Sequence, residues 1–107
     1  MTTFDERKAA FENRFVHDEE LRFKAMARRN RKLGLWAAAL LGKTGAEADA
    51  YSEDVVLSDF ESAGDEDVFA KVRADFDAAG VEQSDHQLRR TMDELLAEAM
   101  IEVKTKG

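Results

Sequence analysis

The sequence predicts an all-α protein, a four-helix antiparallel bundle preceded by a mobile or partly helical N-terminal arm. Three observations carry that expectation. Its 107 residues include no proline and are rich in alanine, glutamate, lysine, arginine and leucine, which lose least on entering a helix. Apolar side chains recur at three-and-four spacing in several separate runs, the period of a helix with one face on a core. Glycine stops and Ser/Thr/Asp starts stand between those runs, and the connections are short enough to make successive helices antiparallel neighbours.

The run FKAMARRNRKLGLWAAALL, Phe23 to Leu41, is the element the others surround. Phe23, Met26, Ala27, Leu33, Ala37, Leu40 and Leu41 are expected on its core face. Lys24, Arg28, Arg29, Arg31 and Lys32 are expected on the outer face. With Arg22, and against Asp18, Glu19 and Glu20, they give residues 17–41 a formal charge of +3 in a chain of net charge -7, so this is the one strongly basic run of an acidic protein. Gly42 suits the left-handed position that ends a helix, and Thr44 with Glu47 reads as a capping box for the second helix. That helix should turn Ala48, Tyr51, Val55, Val56 and Phe60 inward. The third, after Ser62-Ala63-Gly64, has Asp65 as expected N-cap and Val68, Phe69, Val72 and Phe76 as its apolar face. Ala79-Gly80 stops it. Ser84 with Gln87 is another capping box, opening a last helix to about Val103 with Leu88, Met92, Leu95, Leu96, Ala99 and Val103 inside.

Residues 1–16 read as a unit apart from the bundle of residues 17–107, although nothing between Thr3 and Leu33 forbids one continuous helix. Thr3 with Glu6 reads as a further capping box, and a helix would align Phe4, Phe11 and Phe15 on one face. Burying three Phe side chains contributes roughly 5–9 kcal/mol, while ordering each residue of backbone costs about 1–2 kcal/mol. The segment is therefore not expected to hold a fixed shape unaided. It is either a frayed or folded-back extension, or a recognition helix that orders when its Phe stripe enters a groove on a partner.

Most chemistry is refused. The chain has no cysteine, which removes disulfides, thiolate metal sites and cysteine nucleophiles and fits a reducing compartment. Leu41-Gly42-Lys43-Thr44 looks like the tail of a phosphate-binding loop, but Ala37 stands where that loop needs glycine. Asp65-Glu66-Asp67 begins like a calcium loop and has Ala70 at the obligatory glycine. His17 and His86 have no partner at ligand spacing, and no Ser/His/acid set stands out. We expect no catalytic residue, no metal and no enzyme. The N-terminus lacks a signal sequence and no apolar run approaches the roughly 20 residues of a membrane span, so a cytoplasmic, soluble protein is expected. Arg28, Arg29, Arg31 and Lys32 remain as a candidate site for weak binding of ATP or ADP. A helical nucleic-acid- or nucleotide-binding module using this face is the alternative function, although the overall acidity argues against nucleic acid.

Several runs taken together resemble a known family. The arm pattern F-x-x-R-x-x-A-x-E, the run H-D-E-E-L-R-F-K-A-x-A-R-R-N-R from His17 to Arg31, L-G-x-W-A-A-x-L-L-G-K-T-G from Leu33 to Gly45, and S-D-F-E-x-x-G-D-E-D-V-F from Ser58 to Phe69 are similar to the zeta-subunit family, the intrinsic inhibitor of certain bacterial rotary F-type ATP synthases. The resemblance implies a four-helix bundle whose arm, residues 1–16, folds as a helix at the catalytic interface of the alpha, beta and gamma subunits and blocks rotation in the direction of ATP hydrolysis. It implies apolar contacts from Phe4, Phe11 and Phe15 and polar ones from Glu6, Arg7, Lys8, Glu12 and Arg14. The catalytic head would be the partner, with no nucleic acid, no cofactor and no insertion into the membrane, and the protein would lie peripherally at the inner membrane through the ATP synthase.

Overall fold

The computed structural model describes the backbone of residues 3–59 and 65–106 and the side chains of residues 19–59 and 65–105. These residues form four helices, α1 (Thr3–Leu40), α2 (Gly45–Ser58), α3 (Asp65–Ala79) and α4 (Asp85–Lys106). α1 is a single helix of 38 residues, about 57 Å long at 1.5 Å per residue. The expected arm and central helix are thus one continuous element. α1 packs most extensively against α2 on one side and α4 on the other, with α3 closing over α2 and α4. The cross-links run in opposite order along each pair: Arg28 meets Glu102 and Lys32 meets Glu98, whereas Asn30 meets Asp59 and Arg31 meets Ser52. Both neighbours of α1 are therefore antiparallel to it.

The stops and starts have identifiable chemistry. Gly42 takes φ 79°, and the Lys43 N–H donates to Ala38 O while the Gly42 N–H donates to Ala39 O, the paired bonds that close a helix C-terminus around a left-handed residue. Gly80, at φ 71°, repeats this, with Val81 N–H on Phe76 O and Gly80 N–H on Asp77 O. Val81 then packs on the same core as Phe76. The Ser84–Gln87 box is formed in both directions, with Gln87 N–H donating to Ser84 Oγ at 3.0 Å and Ser84 N–H to Gln87 Oε1 at 2.9 Å. The Thr44–Glu47 box is not. Thr44 stands at the N-cap with extended backbone, but its side chain makes no capping bond; the Glu47 N–H bonds the Thr44 carbonyl instead. Asp65 is the first residue of α3 rather than a cap outside it.

A main core joins Leu33, Ala37 and Ala38 of α1 to Tyr51 and Val55 of α2, Val68, Val72 and Phe76 of α3, and Leu88 and Met92 of α4. Trp36 meets Phe76 edge-on at 5.7 Å between ring centroids, a favoured aromatic geometry. A smaller cluster of Ala25, Ala99 and Val103, flanked by Leu21, Leu96 and Met100, joins only α1 and α4. The inward positions read for α3 and α4 are all buried or half-buried; Phe60 of the α2 set lies outside the described residues.

On α1 the reading needs correction. Phe23 is 67% exposed and Leu40 41%, while Ala25, Ala38, Arg29 and Asn30 are buried. A helix held between two neighbours buries more than one stripe. Phe23 also lies about two turns beyond Asn30, near which α2 ends, so it only borders a small depression with Val56 and Asp59, and Leu40 sits at the opposite end beside the turn.

Candidate partner-binding site

The site residues expected from sequence fall into two groups. Phe4, Glu6, Arg7, Lys8, Phe11, Glu12, Arg14 and Phe15 lie on the N-terminal part of α1, and their side chains are outside the described residues. Among the described residues, packing against α1 starts at Leu21.

The basic group is not one surface. Arg29 is fully buried. Its guanidinium reaches Asp65 at 2.7 and 3.5 Å and its Nε donates to Asn30 Oδ1 at 2.8 Å. Asn30 Nδ2 in turn donates to Asp59 Oδ2 at 3.1 Å. Two adjacent residues of α1 thereby grip both sides of the α2–α3 connection, and the buried charge has a carboxylate and an amide oxygen as partners, as burial requires. Sequence reasoning put Arg29 outside because arginine is rarely buried. Yet at 100° per residue it lies only about 40° from Leu33 around the helix, and its partner is far off in sequence.

Arg28 and Lys32 are latched to α4. Arg28 Nε bonds Glu102 at 2.6 Å, and Lys32 Nζ bonds Glu98 at 2.5 Å and Glu102 at 2.8 Å. Hydrogen bonds from Lys32 and then Arg28 hold the Glu102 carboxyl below its ordinary range, and those to Glu102 and Glu98 raise Lys32. Arg31 is different: its side chain is exposed, and its carbonyl accepts the Ser52 hydroxyl at 2.9 Å. Arg28, Arg31 and Lys32, with Ala27, Leu35 and Val56, line an open depression of about 440 Å³. Of the four cations expected to bind nucleotide, then, Arg31 alone is free among the described residues, Arg28 and Lys32 are shared with carboxylates of α4, and Arg29 is inside.

Gly34 carries a contact that sequence reasoning missed. A Cβ there would stand 2.6 Å from Ser52 Cα, so α1 and α2 meet backbone to backbone at this level. A glycine inside a long helical pattern is the signal for such an approach.

Set beside known proteins, the whole architecture has relatives. A family model described as ATPase inhibitor subunit zeta matches residues 1–102. The chain belongs to the ATPase inhibitor subunit zeta family. A solution NMR structure is similar at 42% identity, with a TM-score of 0.71, over 81% of this chain and 99% of that one. No curated protein matches. Membership of the zeta family makes this chain an ATPase inhibitor subunit, a regulatory protein whose partner is the ATP synthase. No described helix is long and apolar enough to cross a membrane.

Proposed function

We propose that this zeta-family protein inhibits ATP hydrolysis by the F-type ATP synthase by inserting residues 1–16 at the catalytic interface of the alpha, beta and gamma subunits, where the inserted helix blocks rotation. The observation that carries this is α1 itself: one helix from Thr3 to Leu40, in which the arm continues without a break into the segment that packs on α2 and α4. The spacing of Phe4, Phe11 and Phe15 adds to it. In one unbroken helical register these positions fall within about 40° of Leu33, so an apolar stripe runs in phase from the arm into the bundle core. The three rings fill apolar hollows and Glu6, Arg7, Lys8, Glu12 and Arg14 make contacts at the rim that set register. The bundle is the anchor and is too wide to follow. The protein is peripheral to the inner membrane through this association, and has no catalytic role of its own.

Deleting residues 1–16 tests the reading. The shortened chain should remain helical and fail to inhibit hydrolysis by the isolated catalytic head; undiminished inhibition rejects the arm as effector. The depression lined by Arg28, Arg31 and Lys32 favours a second, compatible reading, weak binding of ATP or ADP. A polyphosphate there would draw Arg28 and Lys32 away from Glu98 and Glu102, while Arg29 stays with Asp65. Titration with either nucleotide should perturb Arg31 and Glu102 first; perturbation elsewhere, or none, removes this reading.

A further inference from the structure

We propose that the outward face of α1 formed by Phe23, Lys24, Ala27, Arg31 and Leu35 is a second docking surface, which seats against a carboxylate-rich, partly apolar wall of the ATP synthase catalytic head beside the cleft that takes the arm. It rests on the arm reading above. Phe23, Ala27, Arg31 and Leu35 succeed one another at intervals of four and form a continuous ridge. Phe23 is 67% and Leu35 42% exposed, and Lys24 and Arg31 are exposed with no ion pair among the described residues. The shallow depression containing Ala27, Arg31 and Leu35 adjoins a smaller one lined by Phe23, Met26, Ala27, Asn30, Val56 and Asp59, where the Asp59 carboxylate is already held by Asn30, so the ridge is bordered by space a partner can fill.

Charge and direction identify the occupant. The chain carries -7 overall, yet this face presents lysine and arginine beside large apolar groups, so its complement is acidic with apolar patches. The ridge starts at Phe23, about 12 Å along the helix axis from Phe15, and so lies where α1 leaves any groove that holds the arm. It is turned by about 80–160° from the direction of the arm's Phe positions. One flat surface cannot touch both directions, whereas the walls of a cleft can. An anionic membrane is the lesser candidate, because two free cations in an acidic protein fall short of the four to eight basic residues that such recognition uses.

The test compares two full-length variants in inhibition of ATP hydrolysis by the purified catalytic head. Phe23→Asp with Arg31→Glu alters only exposed groups and should leave helix content and melting temperature unchanged, while raising the half-inhibitory concentration at least tenfold and flattening the salt dependence of association. Arg31→Lys should retain inhibition within about twofold. Phe4, Phe11 and Phe15→Ala, on the arm, should lose inhibition outright. If the face variant inhibits like the parent while the arm variant fails, the docking surface is overturned and the arm reading stands. If the arm variant inhibits like the parent, the arm reading falls and this proposal with it. Binding of the parent to phosphatidylglycerol vesicles that the face variant loses, with inhibition intact in both, would assign the face to lipid and overturn the proposal.

Discussion

Gly34→Ala sets two physical effects against each other, and the structure decides the sign. On a helix in isolation the change stabilises by about 0.8–1 kcal/mol, since alanine is the better helix former. Here the added Cβ would meet Ser52 Cα at 2.6 Å, Ser52 Cβ at 3.2 Å and Ser52 O at 3.3 Å. The nearest atom is backbone, so no rotamer change relieves the clash. α1 and α2 must instead separate by roughly 1 Å to restore an ordinary carbon–carbon contact. Overpacking of this kind costs about 1–3 kcal/mol. The same separation stretches the bond from Ser52 Oγ to Arg31 O, now 2.9 Å, a bond of a kind worth about 1 kcal/mol. After the propensity gain the net loss is about 1–3 kcal/mol, equivalent to a fall in Tm of about 5–20 °C for a domain this size. Thermal and urea unfolding followed by circular dichroism measure it. Adding Ser52→Gly should restore little, because Cα remains in place. A Tm raised by Gly34→Ala would refute the close approach.

Other contacts of the bundle set the outcome of five further substitutions. Asp65→Ala leaves the Arg29 guanidinium buried with only Asn30 for company and should cost about 2–4 kcal/mol, less than the largest losses for buried pairs because the Asp65 side chain is 38% exposed. Arg29→Met, which removes the buried charge itself, should cost less in urea unfolding than Asp65→Ala. Glu102 titrates below its ordinary 4.5 in the folded state, so its contribution is present above that value and is lost as pH falls through the lowered one; Lys32 titrates above its ordinary 10.5, so its contribution is present below 10.5 and is lost only as pH rises through the raised one. Glu102→Gln should therefore flatten the acid limb of the Tm-against-pH curve and leave the neutral-to-mildly alkaline region flat. Ser84→Ala removes one side of a formed capping box and should cost about 1 kcal/mol, whereas Thr44→Ala should cost little, since the Thr44 side chain makes no capping bond.

The parts of the fold legible in the sequence were those governed by local chemistry. α3 and α4 each bury a narrow stripe, so Val68, Val72 and Phe76 or Leu88, Met92, Ala99 and Val103 stand out by spacing alone. Gly42 and Gly80 announce their positions because a left-handed residue is what closes a helix end. α1 was harder. Gripped by α2 and α4 together, it buries Ala25, Asn30 and Ala38 outside any single stripe and leaves Phe23 uncovered. Arg29 and Asn30 were misread or passed over because what makes them internal, Asp65 and Asp59, lies across the fold and not in the window. Two of the three capping boxes make the same point, the Thr3–Glu6 side chains lying outside the described residues. Ser84–Gln87 formed and Thr44–Glu47 did not, although their patterns are alike, so a box records a capacity that the chain geometry either uses or does not. Within the basic run the residue types indicated charge but not its distribution: one guanidinium internal, two cations shared with α4, and Lys24 and Arg31 left for a visitor.

Support for α1 is graded along its length, and the gradient runs towards the arm. From Leu33 to Ala38 the helix is part of a core shared by all four elements. At Arg29 and Asn30 that core gives way, and the polar grip on Asp59 and Asp65 stands at the boundary. Beyond it, from Ala25 to Leu21, the apolar cluster among the described residues is with α4, through Ala99, Val103, Leu96 and Met100, while α2 has already ended at Ser58. Fewer apolar neighbours mean a smaller free energy for local opening. Native-state hydrogen exchange should therefore show the slowest amides at residues 33–38, intermediate ones at 28–30 and faster ones at 21–25, with 99–103 of α4 exchanging at rates like those of 21–25 because the two share one cluster. Asp65→Ala should move residues 28–30 towards the faster group and leave 33–38 the slowest. Uniform protection from residue 21 to residue 38 would mean that α1 behaves as one stiff rod held equally throughout, and the grip at Arg29 would then have no boundary to mark.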